Sequence, residues 1–101
     1  MAAAYFIAQY VVNDRKLYRE YQAAAAPTIL AAGGELVAFD VAAETIEGTP
    51  PGPQTVIVKF ESTAAAKAWY RSPAYQAAVG KRLAATKGFA IIAQSMNFGR
   101  R

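Results

Sequence analysis

Four segments rich in aromatic and β-branched residues alternate with segments of helical periodicity, and this order constrains the fold more than any other feature of the sequence. Strands are predicted over residues 4–12, 35–41, 55–61 and 89–98. Apolar residues at helical spacing predict one helix over 14–32, a short one over 64–71, and a third that begins at Ser72-Pro73 and ends at about Lys87. The predicted order is therefore β-α-β-β-αα-β.

This order restricts the topology to a few arrangements. Each half of it is one βαβ unit, and crossovers of this kind are right-handed. We expect an α+β, ferredoxin-like βαββαβ fold with a four-stranded antiparallel sheet in the order 4-1-3-2 and all helices on one face. With 101 residues, the chain forms one domain over residues 1–101, and a domain of this size has a thin core.

Proline and glycine positions set the expected boundaries. Pro27 falls inside the first helical pattern, where it removes a backbone donor and should kink or split the helix. Gly33-Gly34 should end that helix, and Gly88 should end the third one. Residues 49–53 form the turn-rich centre of the connection between the second and third strands.

The first and last strands are apolar on both faces, which bears on quaternary structure. Tyr5, Ile7 and Val11 lie on one side of the first strand, opposite an equally apolar set of even-numbered residues. The last strand repeats this with Phe89 and Ile91. An antiparallel sheet with one wet face would alternate between apolar and polar residues. Because the helices cover only one face, we expect the equivalent sheet of a second copy to cover the other, in a two-fold homodimer.

The chain contains no cysteine and no histidine, and this excludes several classes of chemistry. Disulfides cannot form, and zinc or redox-metal sites usually need these residues, so no metal and no cofactor is expected. Ser–His and Cys–His catalytic pairs are excluded. Any general acid or base must be Asp, Glu, Lys or Tyr, or must come from the ligand.

The charge pattern and the lack of long apolar runs limit partners and location. The net charge of +4 is spread along the chain. Residues 87–94 partly match the RNA-recognition signature, but Ile91 and Gln94 replace two of its aromatic residues, so no nucleic-acid partner is expected. No run of eighteen apolar residues and no basic leader pattern is present, so we expect no membrane partner and a cytoplasmic location.

Five residues are candidates for a ligand site. Glu47, beside Gly48, could act as a base or clamp a ligand, or it could form a structural ion pair in a turn. Arg82 lies in an apolar helical stripe, where it could bind a carboxylate ligand or tie the helix to the sheet or to a partner. Trp69 and Tyr75 could line a cavity, or they could fill the core or an interface. Tyr21, like Tyr18, lies on the core face of the first helix and is expected mainly to pack there, with one of the two hydroxyls able to reach such a cavity.

A set of short motifs resembles a bacterial family. These motifs are the Tyr18–Tyr21 pair, Gly33-Gly34, Glu47-Gly48 and the run Trp69-Tyr70-x-Ser72-Pro73-x-Tyr75. Together they resemble the domain-of-unknown-function family numbered thirteen-thirty, of the dimeric α/β-barrel superfamily, from Tyr5 to about Ile92. The resemblance implies a ferredoxin-like dimer and no particular reaction. Superfamily relatives include cofactor-free monooxygenases, isomerases and haem-degrading enzymes, an analogy at the level of the fold.

Two functional hypotheses follow. In the first, each protomer binds a small, partly apolar organic molecule, which could be an anion, between sheet and helices. If the protein is also an enzyme, it catalyses cofactor-independent proton transfer or oxygenation, with Glu47 as base and Arg82 as the oxyanion or carboxylate partner. In the second, the chain is a non-enzymatic structural or accessory homodimer without a dedicated pocket. A cavity lined by the candidate residues would favour the first hypothesis, and a filled core would favour the second.

Overall fold

A computed structural model describes residues 2–96 and confirms the predicted fold class and strand order. The elements are β1 (Ala4–Val12), α1 (Arg15–Ala31), β2 (Glu35–Asp40), β3 (Gln54–Phe60), α2 (Thr63–Arg71), α3 (Pro73–Ala85) and β4 (Thr86–Gln94). The sheet has the order β2-β3-β1-β4, and every neighbouring pair is antiparallel. The even-numbered residues of β1 face the helices and form the centre of the core.

Local side-chain chemistry fixes the helix ends. Asp14 caps α1 by accepting a hydrogen bond from the Leu17 N–H at 3.0 Å. Ser62 caps α2 in the same way, and Ser72 caps α3 ahead of Pro73. At the other end of α1, Gly33 has a φ of +76°, which a residue with a side chain rarely adopts. The Gly33 and Gly34 N–H groups donate to the carbonyls of Leu30 and Ile29, a Schellman motif that ends the helix where the sequence predicts.

Pro27 does not split α1. The helix is continuous from Arg15 to Ala31, although Pro27 cannot donate a backbone hydrogen bond. The carbonyl that Pro27 leaves without a helical donor is that of Ala23, and the hydroxyl of the next residue, Thr28, donates to the Ala25 carbonyl at 2.7 Å.

The boundary between α3 and β4 differs from the prediction. The helix ends at Ala85, and β4 begins at Thr86 rather than at Phe89. Gly88 is therefore not a helix stop: it lies inside β4 opposite Tyr10, and a Cβ there would collide with the backbone of Gln9 and Tyr10. The glycine permits close approach of the two strands. β4 ends at Gln94, and Phe98, the last residue of the predicted strand, lies outside the described residues.

An aromatic core fills the layer between sheet and helices. Tyr10, Phe60 and Tyr75 are among its largest fully buried side chains. The Trp69 ring lies 4.1 Å from Tyr75 and 5.1 Å from Phe60, measured between ring centroids, so α2 joins the sheet to α3.

The two faces of the sheet meet different surroundings. On the helical side, α1 packs chiefly along α3, and Leu36 and Phe39 of β2 stay exposed beside it. On the other side, which we call the open face, Ile7 pairs with Ile57 of β3 and Ile91 of β4, so three isoleucines form one row across the sheet.

Candidate functional site

A cavity of about 120 Å³ lies between α1 and the sheet. Its lining is almost entirely apolar or aromatic: Phe6, Tyr10, Tyr18, Tyr21, Gln22, Ala25, Ala26, Ile29, Leu36, Phe39, Val56, Val58 and Trp69. It reaches the edge strand β2 at Leu36 and Phe39, both of which are exposed. A cavity of roughly 150 Å³ is known to accommodate benzene, so the space is close to the size of one aromatic ring.

Four tyrosines, Tyr10, Tyr18, Tyr21 and Tyr75, form a buried cluster beside this cavity, here called the tyrosine cluster. Their hydroxyls are joined in two pairs. Tyr10 and Tyr18 are 2.8 Å apart, which links β1 to α1, and Tyr21 and Tyr75 are 2.8 Å apart, which links α1 to α3. Tyr10, Tyr18 and Tyr21 also line the cavity.

Arg82 of α3 lies against this cluster and is only 3% exposed. Its Cζ atom is 5.6 Å from the centroid of the Tyr10 ring and 6.0 Å from that of Tyr21, a cation–π arrangement with both rings. Its Nε–H group is buried and has no hydrogen-bond partner.

Gln54 is a second buried polar residue at the cluster. It pairs with Tyr10 across β3 and β1, lies beside Tyr18 and is 2% exposed. Its amide Nε2 is also buried without a hydrogen-bond partner. Two N–H donors that border the Tyr10 side chain therefore make no well-aligned hydrogen bond, although the hydroxyls of Tyr18 and Tyr75 lie near the Gln54 and Arg82 side chains.

The cluster carries a net positive charge at neutral pH. Burial raises the pKa of Tyr10 and of Tyr21 far above the usual value, so both hydroxyls stay neutral. The guanidinium of Arg82 stays charged, because arginine keeps its proton at neutral pH even when it is buried. The result is a buried cation surrounded by neutral hydroxyls.

The candidate residues predicted from the sequence fall into three places. Tyr21 and Trp69 line the cavity. Tyr75 and Arg82 do not line the cavity but contact Tyr21, which does. Tyr75 is hydrogen-bonded to the Tyr21 hydroxyl, and the Arg82 guanidinium lies over the Tyr21 ring. Glu47 is exposed on the connection between β2 and β3 and is not among the residues that line the cavity. Its predicted role as a base stays a prediction.

Sequence reasoning missed Gln54. The sequence position of Gln54 could have identified it, because Gln54 precedes Val56, Val58 and Phe60 at every second residue of β3. Every second residue of a strand shares a face, so a glutamine in this series must point toward the helices.

The site offers aromatic surface, hydroxyl groups and one positive charge. Within residues 2–96, no group of three or more Asp or Glu side chains could hold a metal ion. In that same part of the chain, no helix is both long and apolar enough to cross a membrane.

Solved structures of other proteins share this fold. The chain is 19% identical to the RPA0582 protein of unknown function from Rhodopseudomonas palustris, with a TM-score of 0.76 over 94% of this chain and 83% of that one. The methylated RPA0582 protein gives a TM-score of 0.77 at 19% identity, over 98% and 84% of the two chains. A conserved protein from Methanosarcina mazei Go1 gives 0.57 at 14% identity, over 93% and 91%.

These structures agree with this chain in fold, and no curated protein matches the chain. The model of one family extends over residues 3–96, nearly the whole chain. The chain belongs to that family, the domain of unknown function DUF1330.

Proposed function

We propose that this protein binds a small, largely apolar organic molecule of about one ring in size in the cavity between α1 and the sheet. The observation that carries the proposal is the cavity itself, about 120 Å³ of space with an aromatic and aliphatic lining that includes Tyr10, Tyr18 and Tyr21. Ligand sites commonly combine an apolar lining with a few convergent polar groups.

The cavity argues against the structural alternative, in which side chains would fill this volume. The cavity is open at Leu36 and Phe39, and a larger side chain on α1 would cover more of these exposed apolar groups. A chain selected only for a stable dimer would gain by replacing Ala25 or Ala26 with a larger residue. Retained space at these two positions supports a binding role.

The open face supports a homodimer. The row of Ile57, Ile7 and Ile91 crosses its centre, and Phe89 lies exposed beside it. Each such side chain gains roughly 1.5–3 kcal/mol on full burial, and a two-fold axis would bury the same residues of both copies at once. The cavity lies on the opposite side of the sheet, so dimer formation leaves it accessible. The expected location remains the cytoplasm.

Enzymatic activity stays a prediction within this proposal. If the bound molecule is transformed by cofactor-independent proton transfer or oxygenation, the tyrosine cluster supplies hydroxyl groups at the cavity. Glu47, which is exposed away from the lining, is then not required.

The test compares two variants of α1, in each of which one alanine is replaced by leucine. Ala25→Leu places a larger side chain in the cavity, whereas Ala24→Leu adds the same atoms at an exposed position of the helix that does not line it. Toluene, benzamide and benzoate are titrated by two-dimensional NMR. We expect at least one ligand to shift the signals of cavity residues, at least tenfold weaker binding in Ala25→Leu, and unchanged binding in Ala24→Leu and Glu47→Gln. Failure of all three ligands, or equal binding by Ala25→Leu, would overturn the proposal.

A further inference from the structure

We infer that Arg82 and Gln54 select an anionic ligand, so that the molecule bound in the cavity is a small carboxylate with an apolar body of about benzoate size. This inference rests on the proposed function and adds the chemical class of the ligand.

The first argument is the uncompensated charge of Arg82. A buried arginine is normally paired with a carboxylate, because an isolated charge is costly away from water. Arg82 is 3% exposed, and the groups around it that act on its pKa are Tyr75, Tyr21 and Tyr10. Cation–π contacts with two rings offset part of the desolvation cost but do not neutralise the charge. A carboxylate ligand would supply the missing negative charge.

The second argument is the pair of donors without acceptors. Arg82 Nε and Gln54 Nε2 are both buried and unpaired, and both residues border Tyr10 from different elements, α3 and β3. Neither residue lines the cavity itself, so a ligand head group approaches them where Tyr10 and Tyr21 form the cavity wall. A carboxylate has two oxygens that accept several hydrogen bonds, and arginine binds this group with a matching fork of donors. A neutral ligand with one carbonyl oxygen would accept fewer of these hydrogen bonds and would not neutralise the charge of Arg82.

The third argument is the position of the cluster relative to the cavity. Tyr10 and Tyr21 line the cavity and also contact Arg82, so they connect the apolar space to the cation. A ring bound against Phe6, Val58 and the other apolar lining residues would direct its head group toward the tyrosine hydroxyls and the positive charge behind them. The volume of about 120 Å³ leaves room for one ring or a short branched chain.

Three isosteric or near-isosteric probes test this inference in the wild-type protein. Benzoate, benzamide and toluene share one ring and differ in charge and hydrogen-bonding capacity. Affinities measured by NMR titration at neutral pH and low chloride should rank benzoate at least tenfold tighter than benzamide. Equal affinities for benzoate and benzamide would overturn the inference and leave the proposed function standing, whereas no binding by any of the three would reject the proposed function itself.

Variants assign the preference to the two residues. Arg82→Met keeps an unbranched side chain of similar length and removes the charge, and it should reduce the benzoate-to-benzamide ratio to about one. Lys67→Met removes an exposed cation from α2 and should leave the ratio unchanged. Gln54→Leu should lower benzoate affinity several-fold, and it keeps the test available should Arg82→Met not fold.

Inorganic phosphate serves as the last probe. If phosphate binds as tightly as benzoate, the site recognises an oxyanion regardless of the ring, and the carboxylate assignment is overturned.

Discussion

The hydroxyls of Tyr21 and Tyr75 lie 2.8 Å apart in the core and form a hydrogen bond between α1 and α3. Replacing one of them by phenylalanine leaves the other hydroxyl buried with a lost partner, which costs about 1–3 kcal/mol. Replacing both removes the unmatched group together with its partner. We therefore expect Tyr21→Phe and Tyr75→Phe each to lower the free energy of unfolding, and the double variant to lose less than the sum, with a coupling energy of about 1 kcal/mol.

Urea denaturation of the four proteins in this cycle measures the coupling. Tyr5→Phe is the matched control, since Tyr5 is only partly buried on the open face, and its effect should stay within about 0.5 kcal/mol. Strictly additive losses would show that the two hydroxyls do not depend on each other.

The tyrosine cluster should also make the protein sensitive to alkali. Burial raises the pKa of Tyr10, Tyr18, Tyr21 and Tyr75 above their value of 10.0 in the unfolded chain. Below pH 10 these groups are protonated in both states, so their contribution to stability is complete. Above pH 10 the unfolded chain releases protons that the folded chain retains, and each such tyrosine lowers stability by about 1.4 kcal/mol per pH unit.

The expected result is a cooperative alkaline transition. Tyrosinate absorbance from the four cluster residues should rise together with the loss of helical circular dichroism as the pH increases beyond 10. Ionisation of all the tyrosines while the helical signal stays intact would contradict the buried, neutral state assigned to the cluster.

The sequence predicted the fold better than the site, and particular residues show why. Phe6 and Tyr10 share a strand face by simple alternation, so the order of elements and the sheet could be derived from local patterns. Gly88 follows a helical pattern and is equally compatible with a helix stop and with a close strand contact, and only its pairing with Tyr10 distinguishes the two. Local sequence gives no information about that pairing.

The cavity depends on distances between elements that are far apart in sequence. It exists because α1 packs along α3 and leaves space over β2 and β3, a result of packing across the whole helical layer. Arg82 could be singled out because a charge interrupts an apolar stripe. Glu47 attracted attention through a motif, yet its connection between β2 and β3 leaves it exposed, and loop placement of this kind does not follow from periodicity.

Gly88 and Gly80 form a matched pair for testing the strand contact. A methyl group at Gly88 would collide with the backbone of Gln9 and Tyr10, whereas Gly80 has open space around it on α3. Gly88→Ala should destabilise the protein by more than about 2 kcal/mol, because strand backbone has to move. Gly80→Ala should stabilise it by about 0.5–1 kcal/mol, because alanine is the better helix former. Thermal and urea unfolding measure both, and a neutral Gly88→Ala would show that β1 and β4 are not so close.

Ile91 and Ile46 provide the corresponding pair for the open face. Ile91 is 50% exposed at the end of the isoleucine row, and Ile46 is 90% exposed on the β2–β3 connection. In a two-fold dimer that buries the open face, Ile91→Lys would place a charge from each copy in an apolar interface, while the lysine in a monomer would reach water. Sedimentation equilibrium should therefore show a dimer for the wild type and for Ile46→Lys, and a folded monomer for Ile91→Lys.

A dimer that survives Ile91→Lys would mean that a different surface joins the copies. A wild-type monomer would mean that the row of isoleucines remains uncovered in solution, and the homodimer proposal would fail.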